Sequence, residues 1–245
     1  MQRYKGIVSY DGSEYSGFQL QPRDRTVQGE IERALKKLHK GNEIKIQASG
    51  RTDAGVHAKG QVIHFDSDLD IPAGKWELAI NAMLPHDIVF STIEAVDTSF
   101  HARYGVKGKE YRYFIHLSER RDPFKRNHAY YYPYKLDIGA IREALGYFVG
   151  EHDFTSFCSM KTDKEDKVRT ITSMKLMEEG DTLIFSFEGN GFLYNMVRII
   201  IGTLVDVGRG KRKPESIKEI LEKKDRKAAG KTASANGLYL WKVFY

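Results

Sequence analysis

Residues 47–65 read QASGRTDAGVHAKGQVIHF and gather Arg51, Asp53, His57 and His64 among three glycines, just before an apolar run. A carboxylate set between an arginine and a glycine has two readings. In the first, Thr-Asp-Ala-Gly is a turn whose aspartate bonds the local backbone, and spacing alone favours it. In the second, Asp53 is a fixed, partly dehydrated carboxylate, suited to nucleophilic attack or charge stabilisation at a sugar carbon. The glycines would then let a bulky substrate approach the backbone. Arg198 is the second reactive candidate, in MVRIII, where nearly every neighbour is apolar. A helix apolar all round is buried, and a guanidinium cannot discard its charge, so an anion is expected close by. Asp206, another acid or a ligand phosphate would serve, and Asp53 is one such acid. Between Arg51 and Arg198, Asp53 would stay ionised, its pKa held below the reference of about 3.9.

Two other chemistries are set aside. Asp53, His57 and His64 would make a thin metal site, because hydrolytic centres gather more carboxylates and histidines, so no metal is expected. His64 within VIHF reads as a packed strand residue. The segment DRKAAGKT, 225–232, ends like a phosphate-binding loop, but Asp225 stands where that loop needs glycine and a Lys/Glu-rich helix precedes it. No nucleotide cofactor is expected.

These residues need elements to hold them. Residues 3–10 alternate as a strand, and DGSEYSGFQLQPRD follows as a Gly- and Pro-punctuated loop. Thr26 reads as an N-cap for a helix with Val27, Ile31, Leu35 and Leu38 at helical spacing, ended by Gly41. Residues 43–48 and 61–66 read as strands flanking the Asp53 loop, 75–84 as a short helix, and 87–95 and 100–106 as extended. KEYRYFIHL is a strand carrying Tyr111. A polar, turn-rich seam spans 118–137, after which Asp137 caps a helix. Residues 168–177 and 182–188 read as strands, FLYNMVRIIIGTLVDVG as an apolar helix, KPESIKEILEKK as an amphipathic helix and GLYLWKVFY as a closing strand. Strands joined by short loops and mixed with helices imply α+β with a largely antiparallel sheet. The division expected is 1–105, a half carrying the Asp53 loop, and 106–245, a half carrying the Tyr111 strand and the Arg198 helix.

The 245 residues are 41% hydrophobic and 29% charged, the composition of a folded chain. No apolar run reaches membrane-spanning length, since Met196–Val207 is broken by Arg198 and Asp206. The N-terminus lacks the apolar core of a signal peptide, and a single cysteine, Cys158, excludes an intrachain disulfide. A cytoplasmic protein is expected. The net charge of +6 favours a polyanionic partner. Between Arg103 and Arg126, eight Lys/Arg face three acids, a net of +5, with Tyr104, Tyr111, Tyr113 and Phe114 among them. Such a mixture tracks phosphates and stacks on unpaired bases, although a half-buried strand with a solvated basic face explains Tyr113 and Phe114 equally well.

SGRTDAGVHAKGQVIHF resembles the signature of the tRNA pseudouridine synthase A family. YDGSEYSGFQLQPRDRTVQGEIERAL, FHARYGVKGKEYRYFI, RDPFKRNHAYYY, FVGEHDFTSFC, GNGFLYNMVRIIIGTL and GLYLWKVFY are similar to the family's other blocks, in family order, over nearly the whole chain. The resemblance implies the pseudouridine synthase α+β fold, with a catalytic cleft between two similar halves. It implies isomerisation of uridine to pseudouridine at positions 38 to 40 of the tRNA anticodon arm, without metal or organic cofactor. It also implies a homodimer gripping tRNA in a V-shaped pair of positively charged clefts.

Asp53 matches the family's essential aspartate, and Arg198 the arginine that pairs with it. Tyr111 matches the tyrosine that stacks on the target uracil, and Arg51 the arginine that fills the stack when the base leaves. Phe18 stands where tryptophan is usual, and TASANGL where wording like TAPAHGL is common, which leaves room for a paralogue with shifted tRNA preference. The competing functions are an RNA-binding protein without catalysis, which would lack the aspartate or the tyrosine, and a metal-dependent RNA hydrolase.

Overall fold

The computed structural model describes residues 1–72, 74–162 and 165–245. They form two compact units, Met1–Lys107 with Tyr239–Tyr245, and Gly108–Leu238. The first unit is therefore not one contiguous stretch. The linear reading assigned the last strand to the second half, whereas from Tyr239 on it belongs to the first unit.

In the first unit, β1 (Gln2–Tyr10) alternates, with Tyr4, Val8 and Tyr10 buried, as the period of two requires for a sheet with one face on a core. It pairs antiparallel with β3 (His57–Ser67) and with β4 (Ile88–Val96). The closing strand β10 (Leu238–Phe244) runs parallel to β3, Tyr239 opposite His57. The helix α1 (Val27–Leu38) starts at Thr26, whose hydroxyl accepts from Gly29 N at 3.3 Å. Glu30 in its first turn and Lys36 and Lys37 in its last suit the helix dipole. Beyond it, His39 bridges Leu35 O and Ser67 Oγ, both at 2.7 Å, tying the helix end to β3. The short helix α2 (Trp76–Asn81) is anchored by Trp76, whose ring lies 4.7 Å from Tyr4 and 5.4 Å from Phe65.

Three expected elements differ here. The strand expected at 43–48 shrinks to β2 (Gln47–Ala48). Glu32 draws the preceding residues toward α1, accepting from Ile46 N and pairing with Lys45, both at 3.2 Å. The segment 100–106 is a turn, because His101 Nδ1 accepts from Arg103 N and Tyr104 N. And β3 begins at His57 rather than 61, which shortens the Asp53 loop.

In the second unit, β5 (Gly108–Leu117) pairs parallel with β6 (Tyr130–Tyr132), a strand inside the seam that the sequence did not reveal. The helix α3 (Ile138–Gly146) follows, Asp137 Oδ1 accepting from Ala140 N at 2.9 Å. Strands β7 (Gly150–Asp153), β8 (Val168–Glu179) and β9 (Thr182–Gly189) complete an antiparallel order β5-β9-β8-β7. Gly180 at φ +58 opens the tight turn between β8 and β9. The helix α4 (Met196–Gly208) starts later than the apolar run suggests, since Asn195 is left-handed at φ 62. The helix α5 (Ser216–Lys223) precedes a strap, residues 230–233, that lies along α4. A Cβ on Gly202 would fall 1.7 Å from Lys231 O, and Gly230 N donates to Thr203 Oγ1 at 2.9 Å. The phosphate-loop lookalike, 225–232, makes a 3-10 turn at Arg226–Ala228 and runs into this strap, which is followed by a second 3-10 turn and β10 rather than by a phosphate-binding helix. Among the described residues, no helix is long and apolar enough to cross a membrane.

Candidate active site

Asp53 and Arg51 lie in the first unit, on a loop of residues 49–56 held from several sides. At its start, Ser49 N donates to Val62 O at 2.8 Å, and Ser49 Oγ donates to Gln61 Oε1 at 2.6 Å. Gln61 Nε2 in turn donates to Gly50 O at 2.9 Å. In the middle, Thr52 is buried, its hydroxyl 2.8 Å from the Tyr10 hydroxyl and its carbonyl accepting from Phe18 N at 3.0 Å. Gly17, at φ +98, brings the 11–18 loop against this carbonyl, where a Cβ would sit 2.9 Å away.

The turn reading of Thr-Asp-Ala-Gly is correct as to backbone. Asp53 O accepts from Val56 N at 3.1 Å, and Gly55 at the third position has φ +75, the value a type II turn requires there. Asp53 heads this turn half-buried, between exposed Arg51 and exposed Ala54. Turn and chemistry are therefore not alternatives: the turn is the mount for the carboxylate.

The two histidines have structural partners. His57 Nδ1 accepts from Gly12 N at 3.0 Å, and its ring stacks on Tyr239 at 4.5 Å. His64 is buried on β3, as expected, and its Nδ1 accepts from Ala102 N at 3.1 Å. Burial, with the Arg3 and His101 charges nearby, lowers its pKa to about 4.

The second unit carries Tyr111 and Arg198. Tyr111 is half-buried on β5, its ring edge-on to Phe192 at 5.0 Å. Tyr113, two residues on and hence on the same face, is core: it is fully buried, donates to Ser234 O at 2.7 Å, and burial raises its pKa. The packing reading was right for Tyr113, while Tyr104 is exposed. Arg198 is half-buried rather than buried, in the first turn of α4. Its Nε donates to Ala233 O and an Nη to Asn195 Oδ1, both at 2.8 Å. Asp206, one of its expected partners, lies two turns along the helix and faces Arg212 at 3.5 Å. The positive end of the helix dipole makes a first turn an unfavourable place for a cation and a favourable one for an anion.

Sequence reasoning missed Asn195, Tyr10 and Gln61. Asn195 left a faint signal, because asparagine is among the few residues that accept a left-handed backbone, and it directly precedes the apolar helix. Tyr10 and Gln61 read as ordinary strand positions, and only the folded loop shows what their polar atoms hold.

Residues 7–105 and 144–245 match the model of the tRNA pseudouridine synthase family. The tRNA pseudouridine synthase A 1 of Bacillus cereus is 60% identical over 245 residues, covering 100% of this chain and 99% of that protein. The tRNA pseudouridine synthase A of Listeria monocytogenes is 57% identical over 247 residues, covering 100% of both. That of a Geobacillus species is 56% identical over 244 residues, 100% of this chain and 98% of that protein. A solved H/ACA RNP bound to a substrate RNA containing 2'-deoxyuridine aligns at a TM-score of 0.39 and 16% identity, over 83% of this chain and 44% of that one, too loosely to add to the strand pairing.

Proposed function

We infer the reaction from one premise: the chain belongs to the tRNA pseudouridine synthase A family and is an isomerase, a tRNA pseudouridine synthase. The finer reading is that it converts uridine to pseudouridine at positions 38 to 40 of the anticodon arm, as a cytoplasmic homodimer, without metal or cofactor. The N1–C1' bond breaks, uracil turns in place, C5 bonds to C1', and the proton lost from C5 is balanced by one gained at N1. Nothing is added overall, so no cosubstrate is required.

Asp53 is the reacting carboxylate, either attacking C1' or removing the C2' proton to give a glycal. Arg198 is its counter-ion. Tyr111 stacks on the detached uracil, and Arg51 fills the gap left by the flipped nucleotide. Flipping costs a few kcal/mol, which phosphate contacts from exposed arginines such as Arg120 and Arg121 offset.

The observation that carries the role of Asp53 is its mount, a half-buried carboxylate heading a turn whose flanking backbone is hydrogen-bonded on both sides. Catalysis at a ribose carbon needs a well-placed carboxylate, since a misplacement of about 1 Å can cost about a hundredfold in rate. For Arg198, the support is its orientation by Asn195 and its place in a first helical turn.

The test is tritium release from tRNA carrying C5-tritiated uridine. Asp53→Asn is expected to abolish release while tRNA binding survives; near wild-type release from Asp53→Asn would sink the reading. Activity in excess EDTA with full-length RNA product separates the isomerase from a metal-dependent hydrolase.

A further inference from the structure

We propose that Tyr10 and Gln61 are positioning residues for this reaction, two buried polar side chains of the first unit's sheet that fix the backbone carrying Asp53. The proposal rests on Asp53 being the reacting carboxylate.

Tyr10 is 4% exposed and Gln61 0%. Burying a hydroxyl or an amide is costly unless each polar atom finds a partner, and here the partners are the loop. The Tyr10 hydroxyl meets Thr52 Oγ1 at 2.8 Å, one residue before Asp53. Gln61 Oε1 accepts from Ser49 Oγ at 2.6 Å, and its Nε2 donates to Gly50 O at 2.9 Å. Together they pin residues 49, 50 and 52, the three that surround Arg51 and lead into Asp53. Phenylalanine and leucine would fill the same core volume without reaching any of them.

The strand register serves the same end. Val8 lies opposite Gln61, but Tyr10 lies opposite Ala58 instead of Lys59. This one-residue slip adds a residue to β3, where Lys59 is exposed and small, buried Ala58 lies opposite Tyr10. Tyr10 and Gln61 remain on one face beneath the loop. Slips of this kind re-aim side chains next to functional sites.

A positioning role separates from a merely structural one in kinetics. Tyr10→Phe keeps the ring and deletes the hydroxyl. Thr52→Val deletes the matching hydroxyl, and Thr52→Ser retains it. We expect Tyr10→Phe and Thr52→Val each to lower kcat about tenfold to a hundredfold, the scale of a misplaced reacting group, with KM for tRNA unchanged. Thr52→Ser should recover most of the rate. The double variant Tyr10→Phe/Thr52→Val should be no slower than either single one, because one hydrogen bond is lost in all three.

Wild-type kcat in Tyr10→Phe and Thr52→Val overturns the proposal, even if both melt earlier. So does a loss confined to KM, or a Thr52→Ser variant as slow as Thr52→Val. Should Tyr10→Phe fail to fold, the Thr52 pair decides alone. Asp53→Asn keeps the two levels apart: if it is active, the assignment of Asp53 falls; if it is inactive while Tyr10→Phe is unimpaired, only the positioning role falls.

Discussion

Gly12 offers a stringent test of how closely the Asp53 loop is backed. A Cβ built there would lie 2.0 Å from Val56 O and 2.6 Å from Val56 C, both backbone atoms. Ordinary Cβ contacts begin near 3.4 Å, so Gly12→Ala must part the 11–18 and 52–56 segments by about 1.4 Å. That displacement stretches the bond from Gly12 N to His57 Nδ1, now 3.0 Å, and loads the bond from Gly55 N to Tyr15 O, now 3.3 Å. Overpacking costs about 1–3 kcal/mol and a lost hydrogen bond about 1 kcal/mol more, giving roughly 2–4 kcal/mol. For a chain of this size that is a fall of roughly 5–15 °C in Tm. A shift of about 1 Å at the turn that mounts Asp53 should also slow the chemical step about a hundredfold. Circular dichroism melting and single-turnover tritium release read the two effects separately. A Gly12→Ala protein that melts within about 2 °C of wild type and reacts at the wild-type rate would refute the close approach. A protein that melts early but reacts at full rate would show that the 52–56 turn absorbs the push before it reaches Asp53.

Three further outcomes follow from other parts of the molecule. His64 is held neutral in the fold, its pKa lowered from 6.5 to about 4. Between those values the unfolded chain binds the extra proton, so stability is full above pH 6.5 and declines as pH falls toward 4; His64→Gln should flatten that part of a Tm-against-pH curve, and an unchanged slope would count against it. Gly202→Ala would set a methyl 1.7 Å from Lys231 O, and the strap must leave α4; a thermal melt should show a loss of about 1–3 kcal/mol or more, and a wild-type melt would show that the strap does not bear on the helix. Replacing exposed Arg120 and Arg121 together by alanine should weaken tRNA binding and reduce the slope of log K against log salt by about 1.5, two phosphate contacts' worth; an unaltered slope would remove that loop from the RNA contact surface.

Much of the architecture was legible in the residues because it is local. The hydrophobic period of two marked β1, the strands read at KEYRYFIHL, 168–177 and 182–188 became β5, β8 and β9, the caps Thr26 and Asp137 marked α1 and α3, and short connections implied antiparallel pairing. The weak points were also local in appearance but tertiary in cause. Residues 43–46 have strand composition, yet Glu32 on α1 takes their backbone. Residues 192–195 continue an apolar helical pattern, yet Asn195 turns left-handed. In the tyrosine-rich seam, β6 exists only because β5 offers it a parallel edge.

The sequence by itself determined the reaction family and which side chains could react, because residue types and their order are chemical facts carried by the chain. It could also state that Arg198 wants an anion, since a guanidinium keeps its charge in any fold. Only the tertiary structure decided how Asp53 is mounted: that its turn is stapled to the sheet by Tyr10 and Gln61 and backed by Gly12 and Gly17. It alone returned β10 to the first unit and separated core Tyr113 from half-exposed Tyr111. Those outcomes depend on pairings between residues far apart in the chain, and neither periodicity nor spacing records which distant partner a buried hydrogen bond will find.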